Sequence, residues 1–353
     1  MSQRKQFLIT LLVIACILAG LAVHFLFYLR ESLNNPSGAL PAHRRNALII
    51  RFRTFDSIIA GTSVGHNFKC SDFDKITGGF SYKLTANAAR IPQTCRLIDF
   101  ACEKHRIRSA LLDMHPLFLI KAPPEEGAFG VGRYYHGNTL LQDLADGVSL
   151  WSLKDREKYY KNKRSPKNRS SSGWSRDDLY RWDTGKECSR AALAYDTLVK
   201  NHLERNEFDI DLKYLPYNIH ENLMPLFRRH PEVTFYLFLP PFAPFAYVGR
   251  DYMLLARKAV MDNFLTLPNV RLYDFQGCPE ICMDFDQYKD ATHYSAKTSE
   301  WILEQIKEDN FRVTPQNRSL FDKRFSDMLK NFDAEKEKNA LKEELDRKTP
   351  RKE

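Results

Sequence analysis

The chain has 353 residues, 43% of them hydrophobic, and a formal net charge of +9. This is the composition of a globular protein with one large domain or two small ones, and it excludes the disordered class. The seven cysteines contain no Cys-x-x-Cys pair and the histidines are scattered, which argues against a structural zinc site, and no cofactor is expected.

Residues 1–6 form a short tail. From Phe7 to Leu29 the chain is almost wholly apolar, with His24 its one strongly polar side chain. That length spans a bilayer core as a helix. A cleaved signal peptide would have a shorter apolar core and a small-residue exit. The run Val13-Ile14-Ala15-Cys16 resembles a lipoprotein cleavage box, but the apolar stretch continues well past Cys16. An uncleaved signal anchor is therefore expected over 7–29. Arg4 and Lys5 precede it and Arg30, Arg44 and Arg45 follow, so the positive-inside count does not orient it. The very short tail favours a cytoplasmic N-terminus and an exported, single-pass protein of the inner or plasma membrane.

Residues 30–46 contain Pro36, Gly38 and Pro41 and read as a linker. The folded domain is expected over 47–318. Strand-like runs lie at Asp56 to Ala60, Ile107 to Leu112, Val233 to Leu239 and Asn269 to Phe275. Of these, Val233 to Leu239 is the strongest, being β-branched and aromatic and stopped by Pro240-Pro241. Helical patterns occupy Cys95 to His105, Arg190 to Leu203, Leu215 to Arg229, Asp251 to Leu265 and Ala296 to Ile306. Strands alternating with helices predict an α/β domain with a mostly parallel sheet covered on both faces.

Residues 152–185 interrupt this pattern with a basic insertion. Lys158, Lys161, Lys163, Arg164, Lys167 and Arg169 lie there beside Tyr159 and Tyr160. Such a cluster suits an anionic polymer or acidic lipid headgroups, with Lys158, Lys161 and Arg164 as candidate binding residues. A solvated loop is the plainer alternative. Nucleic acid is not an expected partner of an exported domain. Trp174 and Trp182 either pack back onto the domain or meet a sugar or lipid. Residues 319–353 read as an exposed charged helix and a frayed tail. The six cysteines beyond Cys16 are either buried thiols or disulfides, with Cys95–Cys102 and Cys278–Cys282 the close pairs.

Two motifs carry chemistry. Ile58-Ile59-Ala60-Gly61-Thr62-Ser63-Val64-Gly65 reads as a buried strand running into a tight turn that exposes a hydroxyl. Tyr288-Lys289-Asp290-Ala291-Thr292-His293-Tyr294-Ser295 puts a carboxylate and an imidazole within one helical turn of each other. Together Ser63, His293 and Asp290 supply a nucleophile, a base and an orienting acid. Alone, the first is also a common strand-end turn, and Asp290 could be a helix cap. A third arrangement, with Asp72, Asp74, Asp113 and His115 as metal ligands, matches no defensible ligand spacing.

A serine after the first strand, with its acid and base sharing one late segment, resembles the SGNH (GDSL-type) hydrolase superfamily. The likeness is nearest to its membrane-anchored branch, which includes the teichoic-acid D-alanylation and alginate-acetylation proteins. It implies a three-layer, flavodoxin-like domain with a parallel sheet after one transmembrane helix, and an acyl-serine mechanism. The implied substrate is a cell-envelope polysaccharide or polymer, and a membrane-bound O-acyltransferase is a possible partner. Thr77-Gly78-Gly79-Phe80-Ser81 resembles the second block of the superfamily, which makes the N–H groups of Ser63, Gly79 and Gly78 the candidate oxyanion donors. The usual third block, Gly-x-Asn-Asp, is missing. The comparable strand end reads Leu111-Leu112-Asp113-Met114-His115, and Asn67, Asn87, Asn138 and Asn218 are the candidate substitutes for its amide. This departure keeps a second reading open, a non-catalytic SGNH-fold module that docks on an acyltransferase or binds polymer.

Overall fold

A computed structural model describes residues 3–34, 42–123, 175–200 and 210–348. Helix α1 (Gln3–Asn34) contains one stretch, Gln3–Val23, that is long and apolar enough to cross a membrane, and none of it is buried against the rest of the chain. After it come α2 (Ala42–Phe52), β1 (Ser57–Gly61), α3 (Cys70–Thr77), β2 (Ser81–Thr85), α4 (Ile91–Lys104), β3 (Ser109–Asp113) and α5 (Pro116–Leu119). The second half holds α6 (Arg190–Tyr195) and a π-helical stretch, Tyr217–Leu223, that continues into α7 (Met224–Arg229). Next are β4 (Thr234–Leu239), α8 (Asp251–Phe264), β5 (Val270–Asp274), α9 (Pro279–Cys282) and α10 (Ala296–Lys307). The short β6 (Arg312–Val313), α11 (Arg318–Lys330) and α12 (Ala334–Lys348) complete the chain.

The six strands form one sheet in the order β2-β1-β3-β4-β5-β6. All neighbours pair in parallel except β5 and β6. The five parallel strands thus follow the flavodoxin-like order, and the point where that order reverses lies at β1. Strand side chains alternate between two apolar layers. Ile58, Ala60, Ala110, Leu112, Phe235, Leu237 and Leu272 pack with α2, α4, α7 and α8. Ile59, Leu111, Tyr236, Phe238 and Tyr273 face the other way, with α3, α6, α10, α11 and α12. Both faces of the sheet are covered, so strands read as continuous apolar runs rather than alternating ones.

Strand β2 and helices α2 and α3 have no counterpart in the sequence reading. Ser-Tyr-Lys-Leu-Thr looks half polar, yet all five residues are buried. The Lys83 ammonium resolves the conflict by donating to the carbonyls of His66 (2.6 Å), Leu179 (2.8 Å) and Asp177 (3.2 Å). Helix α2 starts at Ala42, within the expected linker, and buries Arg44 to Ile50. The C-terminal helices are packed on the domain through Phe321, Phe325, Met328 and Leu341, all buried, and residues 349–353 of the expected tail lie outside the described residues. The cysteines from Cys70 to Cys282 are free. Cys95 and Cys102 lie about two turns apart on α4, roughly 10 Å along its axis, which is beyond disulfide reach.

Candidate active site

Ser63 follows β1 at the carboxyl edge of the sheet, where ligands bind in open α/β folds. The chain turns sharply at Gly61, whose φ is +117°. A Cβ there would collide with the Asp113 carboxylate, so both the conformation and the close approach require glycine. Asp113, at the end of neighbouring β3, accepts the Thr62 N–H at 2.7 Å and the Thr62 hydroxyl at 3.1 Å. Thr62 Oγ1 accepts the Val64 N–H in turn, capping the single helical turn Ser63–Gly65. Asp113 therefore shapes the turn that presents Ser63. Burial pushes its carboxyl up to about 6, against the Thr62 hydrogen bonds that favour the ionised form.

The Asp290–His293 segment follows β5 and α9. It is a loop rather than a helical turn, closed by the bridge Tyr288–Tyr294 and by the Lys289 N–H donating to the His293 carbonyl at 2.9 Å. The cap of α10 is Ser295, not Asp290. Asp290 Oδ1 accepts the N–H groups of Thr292 (3.0 Å) and His293 (2.9 Å) and the Thr292 hydroxyl (3.0 Å). So held, its carboxylate meets His293 Nδ1 at 2.8 Å, and Nε2 lies 2.8 Å from Ser63 Oγ. The carboxylate accepts a hydrogen bond from Nδ1–H, which leaves Nε2 of the neutral ring to accept the hydrogen bond of the serine hydroxyl. Burial opposes a charged imidazole, but Asp290 outweighs it and raises the His293 pKa above the usual 6.5.

Ser63 and His293 open onto a cavity of about 530 Å³, also lined by His66, Asn87, Ala88, His115, Leu117, Phe118, Tyr180, Trp182 and Lys289. One wall comes from the end of the basic insertion. Asn67 joins it to both motifs: its Oδ1 accepts the Asp183 N–H at 3.1 Å and its Nδ2 donates to the Tyr294 carbonyl at 3.1 Å. Trp182 sits edge-on to His293 with centroids 6.0 Å apart, and Lys289 Nζ lies 4.8 Å from the indole centre. Trp182 thus packs back onto the domain. Trp174 and the candidate residues Lys158, Lys161 and Arg164 lie outside the described residues.

The structure brings Ser63, Asp290 and His293 together but not the two glycines. Gly78 ends α3 with φ +64°, and the Gly79 N–H donates to Thr77 Oγ1. A Cβ on Gly79 would meet Asp56 and Ser57, at the start of β1, so this turn lies at the opposite edge of the sheet from Ser63. The reason is register: Ser81 pairs with Ser57 while Thr85 pairs with Gly61. The segment on that side of the cavity is the turn just past β2, Ala86 to Ala89, where Ala88 takes φ 51° and lines the cavity. An unrecognised β2 hid this.

The amide candidates also separate. Asn67 is committed as above, and Asn218 donates to the carbonyls of Leu119 and Lys121. Asn87 lines the cavity. Asn138 lies outside the described residues. Of the four residues weighed as metal ligands, Asp72 pairs with Lys75 and Asp74 with Arg176. Asp113 bonds to Thr62 and His115 to the Leu117 N–H. Among the described residues, no group of three or more His, Cys, Asp or Glu is arranged to hold a metal ion.

No protein-family model matches the chain, and no curated protein matches it.

Proposed function

We propose that the protein is a membrane-anchored serine esterase or O-acyltransferase of the SGNH type, working through an acyl-serine on Ser63. The observation that carries this reading is the hydrogen-bonded chain Ser63 Oγ–His293 Nε2, His293 Nδ1–Asp290, opening onto a cavity. A polymer-binding module has no need of an imidazole held 2.8 Å from a cavity-facing hydroxyl, so the geometry favours catalysis. Three further points support the SGNH type. The serine follows β1, the parallel strands run in flavodoxin-like order, and the acid and base share the loop after β5 and α9.

In the reaction, Ser63 Oγ attacks the acyl carbonyl carbon while His293 Nε2 takes the hydroxyl proton. Asp290 fixes the ring and stabilises its charged form. The tetrahedral intermediate collapses with cleavage of the ester C–O bond, and His293 returns the proton to the departing alkoxide. A water or a sugar hydroxyl then takes the acyl group by the same steps in reverse.

The substrate in this reading is an O-acylated cell-envelope glycan or polymer on the extracytoplasmic side. Its support is the single apolar N-terminal helix and the positive charge of the insertion. The test is direct: full-length protein incubated with an aryl acetate and quenched in acid should carry an acetyl group on the peptide containing Ser63. No adduct should form with His293→Ala. An adduct absent from the wild type, or placed on another residue, refutes the proposal.

A further inference from the structure

We infer that His115 is a further catalytic residue of this site, beside Ser63, His293 and Asp290, donating a hydrogen bond from its Nε2–H to the oxyanion formed when Ser63 attacks. The inference rests on the acyl-serine reading above and adds to it the electrophile that the sequence left unassigned.

Four observations carry it. First, position: His115 lies two residues beyond β3, the parallel neighbour of β1, and lines the same cavity as Ser63 and His293. Second, its ring is fixed. It packs against Phe118 and Phe242 at centroid distances of 4.8 and 4.6 Å. Third, its proton is located. His115 caps α5, and Nδ1 accepts the Leu117 N–H at 3.3 Å. A neutral imidazole whose Nδ1 accepts carries its hydrogen on Nε2. Among the described residues no group accepts that Nε2–H. Fourth, the ring stays neutral: burial, with His293 and Lys121 nearby, holds its pKa well below the usual value. Asp113, two residues earlier, is committed to Thr62 and cannot serve when ionised.

A neutral imidazole suits this task. It donates to developing negative charge without giving up its proton, and it does not compete with Asp290 for the charge on His293. In the step, the carbonyl π pair moves onto oxygen as the Ser63 Oγ–C bond forms, and His115 Nε2–H holds that oxygen. The pair returns when the ester C–O bond breaks. His115 transfers no proton; the only one that moves travels between Ser63, His293 and the leaving or entering oxygen.

The test uses the full chain in detergent with 4-nitrophenyl acetate as substrate. His115→Phe keeps an aromatic ring and removes the donor. Its kcat should fall about 10²- to 10³-fold, the usual loss for one oxyanion donor, with KM changed only a few-fold. His115→Asn accepts the Leu117 N–H and still donates, so it should recover kcat to within about tenfold of wild type. Should the phenylalanine variant fail to fold, His115→Asp is compared with His115→Asn, since the two share a shape and only the amide donates. Wild-type kcat in a donor-free variant, or an Asn variant as slow as the donor-free one, overturns the inference alone. A wild type that neither hydrolyses the ester nor takes a fluorophosphonate overturns the acyl-serine reading and this inference with it.

Discussion

Ser63 and His293 are 230 residues apart in the chain, yet Ser63 Oγ and His293 Nε2 lie 2.8 Å apart. Parallel strands bring this about, because every strand from β1 to β5 delivers its carboxyl end to the same edge of the sheet. The serine leaves β1 and the histidine arrives on the loop after β5 and α9, and Asn67 ties the two segments through the Tyr294 carbonyl.

The pH dependence of turnover should report His293. As the base it must be neutral, and Asp290 holds its pKa above 6.5 despite burial. The acid limb of kcat/KM should therefore have its midpoint above pH 6.5, with activity rising as pH rises. His66 does not add to this limb, since burial, Lys83 and His293 lower its pKa to about 3. Asp290→Asn should move the residual limb downward and cut kcat by about 10⁴. A wild-type midpoint at or below 6.5 would show that the carboxylate does not govern the ring.

Asp113 should leave a mark on stability. Its folded pKa, about 6, exceeds the ordinary 3.8, so the folded state binds more protons between these values. Stability should then fall as pH rises from about 4 to about 6, by up to about 3 kcal/mol. Asp113→Asn can still bond to Thr62 and should abolish that component. Urea denaturation of both proteins across this range is the check, and identical pH slopes would contradict the assignment.

Gly61→Ala should destabilise the fold by about 1–3 kcal/mol through the backbone alone, more with the clash on Asp113. It should also slow acylation, because Thr62 and Ser63 follow directly. A variant as stable and active as wild type would mean that the turn relaxes freely.

Lys83→Met should loosen the wall of the cavity. Without the ammonium, the carbonyls of His66, Asp177 and Leu179 lose a shared donor, and the segment leading to Tyr180 and Trp182 keeps only the Arg176 bond to the Ser81 carbonyl as a tie to β2 among the described residues. Trypsin should cut faster after Arg176 or Arg181 in the variant. Unchanged cleavage would place the hold on that segment elsewhere, with Asn67 the next residue to examine.

The parts of this fold legible in the sequence were those with a strong local signal. The run Val233 to Leu239 and the serine turn announced themselves through β-branched content and glycine placement. Asp290 and His293 did so through spacing alone, which suits a helical turn as well as the loop that holds them. Strand β2 stayed hidden because Lys83 disguises a fully buried strand, and its partners come from residues 66 to 179. Without β2, nothing in the sequence shows that Gly78 and Gly79 fall at the opposite end of the strand from Ser63. His115 was legible only as part of a strand end that lacked the expected amide. Its tautomer depends on a contact with Leu117 and its neutrality on burial, with His293 and Lys121 nearby, and neither leaves a trace in composition.

The most direct test of the central claim is labelling by a fluorophosphonate probe, which reacts only with an activated serine. Full-length wild type should label covalently at Ser63, and both Ser63→Ala and His293→Ala should remain unlabelled while folded. A wild type that resists the probe, or a Ser63→Ala protein that still takes it, would contradict the account.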